Sequence, residues 1–308
     1  MKILVTGGAG FIGSHVTDAY LEAGHDVAVI DDLSNGSREN LNPKARFHLV
    51  DIVDAAAVRR VFQAERPEVV SHHAAKADIA LINRDPMGAF RTNIEGTANV
   101  LDAAAAAGVR KFIFISTSAV YGIPNYNPVD EAHPVQPSTP YGMTKVVGER
   151  LLDFVTRLSG MDWTILRYGN VYGPRQPIKG EAGVIGIFAR TLLAGKMPHI
   201  TGDGEQVKDY VYISDIVRLN VLLLTAGSRG LYNCGTGVGT SVNDIFRMVQ
   251  RKVGFTCRPQ YVAPREGDCS FVFNSDRARR ELGWSATVPL DEGIDLTIAF
   301  ERSRIGRP

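Results

Sequence analysis

The sequence predicts an α/β protein: a doubly wound parallel sheet followed by a second, smaller α/β unit. Three observations lead there. Short apolar runs alternate with helical stretches over the first half, a glycine-rich turn joins the first run to the first helix, and Gly and Pro become frequent after Arg167. The runs cover 3–6, 27–31, 47–51, 69–72, 112–116 and 164–167. They are rich in Val, Ile and Phe and lack polar alternation, which suits parallel strands covered on both faces. Helical stretches cover 14–23, 55–64, 90–107 and 141–159. Strand–helix alternation with short connections is the pattern of a Rossmann-type sheet. Beyond Arg167, helices are expected at 184–194, 213–224 and 242–253. The expected division gives 1–169, rejoined by about 206–235, to the large unit and 170–205 with 236–308 to the small one.

Composition narrows the function classes. A chain of 308 residues with 44% hydrophobic and 22% charged residues is ordinary for a soluble enzyme. A net charge of +1 makes no electrostatic case for nucleic acid or an acidic membrane, so anionic ligands must be held by local groups. Cys234, Cys257 and Cys269 show neither zinc spacing nor a disulfide framework, which suits thiols in a reducing cytoplasm. No apolar run approaches membrane-spanning length, and glycines interrupt the N-terminal run too early for a signal peptide. A cytoplasmic location is therefore expected.

Thr6-Gly7-Gly8-Ala9-Gly10-Phe11-Ile12-Gly13 directly follows the first strand. Gly7 permits a tight turn, Gly10 lets a pyrophosphate approach the backbone, and Gly13 lets helix and strand pack closely. The amides at the helix start then face the phosphates. The second strand ends in Asp31 and Asp32, at the distance where a carboxylate meets the adenosine ribose hydroxyls. The charge of Asp31 repels a 2′-phosphate, and no Arg occupies 31–37, so NAD is favoured over NADP. Asp51-Ile52 ends the third run, where the carboxylate meets the adenine amino group or, equally, caps the helix at Ala55.

Tyr141-Gly142-Met143-Thr144-Lys145 follows Pro140 at a helix start. Tyr141 and Lys145 stand four apart and share a helical face, so the ammonium favours phenolate and the pair can move a proton. Ser116–Gly122 ends the 112–116 strand and places hydroxyls at the sheet's ligand edge. His72-His73 makes a poor metal site, since strand neighbours point to opposite faces.

The chain resembles the extended short-chain dehydrogenases/reductases of the NAD-dependent epimerase/dehydratase family, end to end. The matching segments are 6–13, His73-Ala74-Ala75, Thr92-Asn93, 117–122, 141–145, 167–174, Asp209-Tyr210-Val211 and Arg265-Glu266-Gly267-Asp268. The resemblance implies catalytic roles for Thr117, Tyr141 and Lys145, with Lys145 also holding the nicotinamide ribose. It puts Ala74, Ala75, Asn93 and Tyr168 beside NAD. It puts Asn170, Lys208, Arg265 and Asp268 on a nucleotide sugar, with Arg265 at the diphosphate. Lys208 departs from the family's usual Arg, and Cys269-Ser270-Phe271 from its usual basic residue. The implied reaction is 4-epimerisation of a nucleotide sugar, UDP-glucose to UDP-galactose, through a 4-keto intermediate. Dehydratase relatives carry Asp-Glu after the catalytic Thr, whereas Ser118-Ala119 stand here. Decarboxylation, epimerisation of another sugar and a non-catalytic NAD-binding role remain alternatives. In relatives the Ala-rich helix pairs with the Tyr141 helix across a homodimer.

Overall fold

The computed structural model describes residues 1–78, 82, 84–177, 183–264 and 269–305. Seven parallel strands form the large sheet: β1 (Lys2–Thr6), β2 (Asp26–Asp31), β3 (Arg46–Leu49), β4 (Val69–His72), β5 (Lys111–Thr117), β6 (Asp162–Tyr168) and β10 (Gly230–Cys234). Their order is β10-β6-β5-β4-β1-β2-β3, so the winding reverses between β1 and β4. The strands lack polar alternation because both faces are covered. Val5, Val29, Ile113 and Leu166 pack on one side against α1 (Phe11–Glu22) and α7 (Ile213–Leu222). Leu4, Ile30, Val70 and Phe112 pack on the other against α2 (Ala55–Glu65), with Val58 and Phe62, and α4 (Thr97–Ala106), with Val100 and Leu101.

The small unit is built on β7 (Asn170–Tyr172), β9 (Val207–Tyr212) and β11 (Gly239–Ser241), with β9 parallel to β7 and antiparallel to β11. A second pair joins β8 (His199–Thr201) to β12 (Gln260–Val262). Helices α6 (Val184–Leu193), α8 (Val242–Val253) and α10 (Leu290–Arg304) close around Tyr172, Phe188, Tyr212, Phe246 and Ile298. α9 (Asp276–Leu282) lies against β10.

Two expectations need correction. The third strand stops at Leu49, two residues short of Asp51. The stretch expected as one helix over 90–107 begins earlier, as α3 (Pro86–Phe90), passes through a π turn at Arg91–Gly96 and continues as α4. At the end of that turn Gly96 abuts Ile52, whose Cγ1 would lie 2.6 Å from any Cβ there. Residues 207–212 pair with β7 and β11, and α7 follows directly from Ile213.

Candidate active site

The carboxyl ends of β1, β2, β4, β5 and β6 open into a cavity of about 1310 Å³, walled on its other side by the small unit. It lies at the reversal between β1 and β4, the crevice where doubly wound sheets hold ligands. Gly7 has a left-handed φ of 69°, and a Cβ there would stand 2.7 Å from the Ala74 nitrogen, so the turn needs glycine. A Cβ on Gly13 would stand 2.2 Å from the Gly7 carbonyl oxygen, so α1 starts flush against that turn. Gly10 precedes α1 and brings no capping side chain. The amides of Phe11, Ile12 and Gly13 have no intrahelical acceptor, and all three residues line the cavity. Bare glycine surface and unspent helix amides make a cradle that fits the diphosphate of NAD.

Asp31 borders the cavity with both carboxylate oxygens oriented: Oδ2 accepts from Ala9 N–H at 3.0 Å and Oδ1 from Leu33 N–H at 2.8 Å. Each oxygen keeps acceptor capacity for ligand hydroxyls. Burial holds this carboxyl above the usual carboxylate range, against the pull of the two amides. Asp32 also lines the cavity, but its Oδ1 accepts from the Ser34 amide at 2.9 Å and hydroxyl at 2.7 Å, so it serves the turn. Asp51 and Ile52 line the wall as well. Asp54, not Asp51, caps α2, accepting from Ala57 N–H at 2.9 Å.

Ala74 and Ala75 form wall between β4 and the π turn. Asn93 stands behind it, outside the cavity lining. Its Oδ1 accepts from Lys76 N–H at 2.7 Å, and its Nδ2 donates to Lys76 O at 2.8 Å and to Thr144 Oγ1 at 3.0 Å. The π turn directs this amide inward, where it fixes the wall to the helix that carries Tyr141. His72 spends its nitrogens on the hydroxyls of Thr6 (2.7 Å) and Thr97 (3.0 Å). His73 lines the cavity as a neutral imidazole, its pKa pushed down to about 3 by burial and then by the Lys145 charge.

Thr117, Tyr141 and Lys145 meet in the same cavity. Thr117 ends β5, and its Oγ1 accepts from Ala119 N–H at 3.2 Å, which leaves its own proton to donate. Tyr141 and Lys145 lie one turn apart on α5 (Pro140–Ser159), which Thr139 caps through Gly142 N–H at 3.1 Å. Lys145 is buried, donates from Nζ to Ile115 O at 2.9 Å and stands 5.1 Å over the Phe114 ring. One turn further, buried Glu149 pairs with Arg167 at 2.6 Å and accepts from Ser116 Oγ at 2.6 Å. These contacts tie α5 to β5 and β6 directly beneath the reactive groups. Tyr168 borders the cavity at the end of β6, with its hydroxyl accepting from Asn220 Nδ2 at 2.7 Å.

From the small unit, Asn170 and Lys208 line the cavity. Asn170 Nδ2 donates to Asp209 O at 3.3 Å, and Lys208 Nζ to Cys269 O at 2.6 Å. Arg265 and Asp268 lie outside the described residues. The wall also includes Lys76, Arg175, Gln176, Phe300 and Arg304, to none of which the sequence reading gave a role in the site. Arg175 and Gln176 directly follow a matching segment; Phe300 and Arg304 sit on α10, where no local signal marks them.

The chain is similar to known proteins over nearly its whole length. Residues 3–235 match the model of the NAD dependent epimerase/dehydratase family. UDP-glucose 4-epimerase of Mycolicibacterium smegmatis is 40% identical over 312 residues, covering 99% of both chains. The structure of Thermotoga maritima UDP-glucose 4-epimerase with UDP-glucose is 44% identical, with a TM-score of 0.97 over 99% of this chain and 100% of that one. The Thermus thermophilus UDP-glucose 4-epimerase complex with NAD is 39% identical, with a TM-score of 0.93 over 98% and 99% of the two chains. With its cradle, its Tyr–Lys helix and a match over most of its length, this chain belongs to the NAD-dependent epimerase/dehydratase family.

Proposed function

We propose that this protein is an NAD-dependent 4-epimerase of a nucleotide sugar, interconverting UDP-glucose and UDP-galactose through a 4-keto sugar. The observation that carries this is convergence: one cavity brings together the glycine cradle, Asp31, the Thr117–Tyr141–Lys145 group and a wall from the small unit. Relatives of matching fold bind UDP-glucose and NAD in their own structures.

In this reading 1–169 with 213–235 forms the cofactor unit, and the rest forms the unit that closes over the sugar nucleotide. The glycine cradle holds the cofactor diphosphate, Asp31 the adenosine ribose, Asp51 and Ile52 the adenine, and Lys145 the nicotinamide ribose. Ala74, Ala75 and Tyr168 complete that wall, and Asn93 fixes it from behind. NAD supplies reversible hydride exchange with C4 of the sugar. Tyr141 takes the proton of the 4-hydroxyl and returns it to the 4-keto oxygen, while the Lys145 ammonium stabilises the phenolate between. The Thr117 hydroxyl donates to the same sugar oxygen. Asn170 and Lys208, with Arg265 and Asp268, hold the nucleotide sugar, which turns over between removal and return of hydride.

A homodimer fits the surface of α5. Met143, Phe154 and Leu158 recur on one helical face and are 47%, 63% and 76% exposed, and Met87 on α3 adds a fourth exposed apolar side chain. Sedimentation should give twice the chain mass. Among the described residues no helix is long and apolar enough to cross a membrane, in keeping with a cytoplasmic enzyme.

The function is tested by NMR of UDP-galactose incubated with the protein, with absorbance followed at the NADH band. UDP-glucose should form with no net NADH, and some NAD should copurify. Continuing stoichiometric NADH production would instead make the protein a dehydrogenase.

A further inference from the structure

We propose that residues 174–177 form a strap that latches the small unit onto α1, and that the Asp18–Arg175 ion pair sets how long NAD stays bound. This rests on the cofactor reading above.

Four consecutive residues are gripped from two sides. On the α1 side, His15 Nε2–H donates to Pro174 O at 2.9 Å; a carbonyl only accepts, which fixes the tautomer. Arg175 Nη1 donates to Asp18 Oδ2 at 2.7 Å, and Asn42 Nδ2 donates to Asp18 Oδ1 at 2.8 Å. On the other side, Arg190 of α6 donates to Gln176 O at 3.3 Å and Pro177 O at 3.1 Å, and pairs with Glu301 of α10 at 3.0 Å. Arg175 has a φ of 66°, a left-handed conformation that a non-glycine residue keeps only when its surroundings hold it.

The strap sits where the cofactor cradle meets the small unit. Arg175, Gln176 and Pro177 line the same cavity as the first turn of α1. Within that turn Phe11 and Ile12 pack against the small unit's core. Parting that wall from the cradle breaks the strap's contacts, so they oppose cofactor release. An epimerase regenerates its cofactor at every turnover and gains from slow release. Asp18 lies outside the cavity lining, so a change there acts on the strap without touching bound ligand.

The test is exchange of bound radiolabelled NAD against excess unlabelled NAD, without sugar, in the parent, Asp18→Asn, Asp18→Glu, Arg175→Gln and the Asp18→Asn/Arg175→Gln double variant. Asp18→Asn should release NAD roughly fivefold faster, the scale of one partly exposed ion pair. Its kcat at saturating NAD and UDP-glucose should stay within about twofold of the parent, because no cavity group has changed. Asp18→Glu keeps the carboxylate and should release at close to the parent rate. In the Arg175→Gln background, Asp18→Asn should add nothing further. Release unchanged in Asp18→Asn overturns the latch, whatever happens to the melting temperature of the NAD-free protein. Equal acceleration in the Arg175→Gln background overturns it too. Normal NAD exchange with no epimerisation would count against the proposed reaction and leave the latch judged on its own. A protein that takes up no NAD would overturn both.

Discussion

Asp31→Ala probes the cofactor half of the cavity. The native carboxylate accepts from Ala9 N–H at 3.0 Å and Leu33 N–H at 2.8 Å. Its removal orphans both amides, but the site borders a cavity that water can enter. The stability cost should therefore stay near the low end for lost acceptors, about 1–2 kcal/mol. The ligand loses charge-assisted hydrogen bonds worth about 1.5–3 kcal/mol, so the Kd for NAD should rise roughly 10- to 150-fold. NADP responds the other way. Unit charges about 4 Å apart repel by about 1 kcal/mol in water and about 4 kcal/mol near a protein surface, and the variant removes that repulsion from the 2′-phosphate. Together these should narrow the preference for NAD by at least about 50-fold. Calorimetric titration of the NAD-free protein with both dinucleotides reads both affinities and their ratio. Native protein that binds NADP as tightly as NAD would refute the reasoning, as would a variant whose NAD affinity is unchanged. The pH dependence carries a further sign. Burial raises the Asp31 pKa, so the repelling charge is present above that raised value and is lost as pH falls through it. Native discrimination against NADP should therefore weaken on acidification earlier than for an ordinary aspartate, while Asp31→Ala should lack this component. For the fold alone, the uncharged carboxyl is the favoured form, so its stabilising contribution is full below the unfolded pKa and is lost as pH rises through the folded one.

Three other outcomes are expected. Tyr141→Phe should keep the fold and bound NAD but lose about 10²–10⁴-fold in kcat, and near-normal turnover would remove Tyr141 from proton transfer. Lys208→Ala and Arg265→Ala should raise KM for the sugar nucleotide more than they lower kcat, because a diphosphate contact serves ground and transition states alike; steady-state kinetics decides this, and unchanged KM in both would put the diphosphate elsewhere. Arg167→Met leaves Glu149 buried without its partner, a loss of about 3–5 kcal/mol that should lower Tm by roughly 6–15 °C in a thermal melt. Burial opposes the charge of the native guanidinium, but Glu149 and Tyr121 together hold its pKa above the ordinary arginine value. A Tm within about 2 °C of the parent would show the pair to be dispensable.

Much of the cavity was legible because its groups are set by local rules. Gly7 must take a positive φ, Asp31 ends a strand at a fixed distance from that turn, and Tyr141 and Lys145 share a face through helical spacing alone. Asn93 shows where local reading stops. The family resemblance implies a place beside NAD for it, but the π turn sends its amide to Lys76 and Thr144, behind the wall. Asp51 shows the same limit: two functions fitted its position, and the cap at Asp54 removed one of them.

The sequence by itself determined the strand–helix alternation, the glycine turn, the place of Asp31 at a strand end and the spacing of Tyr141 and Lys145. Each depends on backbone conformation or spacing within a few residues, where sterics and hydrogen-bond geometry leave few choices. Only the tertiary structure decided which distant groups became neighbours. Asp18 and Arg175 are 157 positions apart and meet because α1 is the seam between the two units. Glu149 reaches Arg167 and Ser116 because α5 packs across adjacent parallel strands. Arg304 borders the cavity because α10 folds back over the small unit. Such pairings arise from burying apolar faces against one another over the whole chain, a balance that no short stretch of sequence contains.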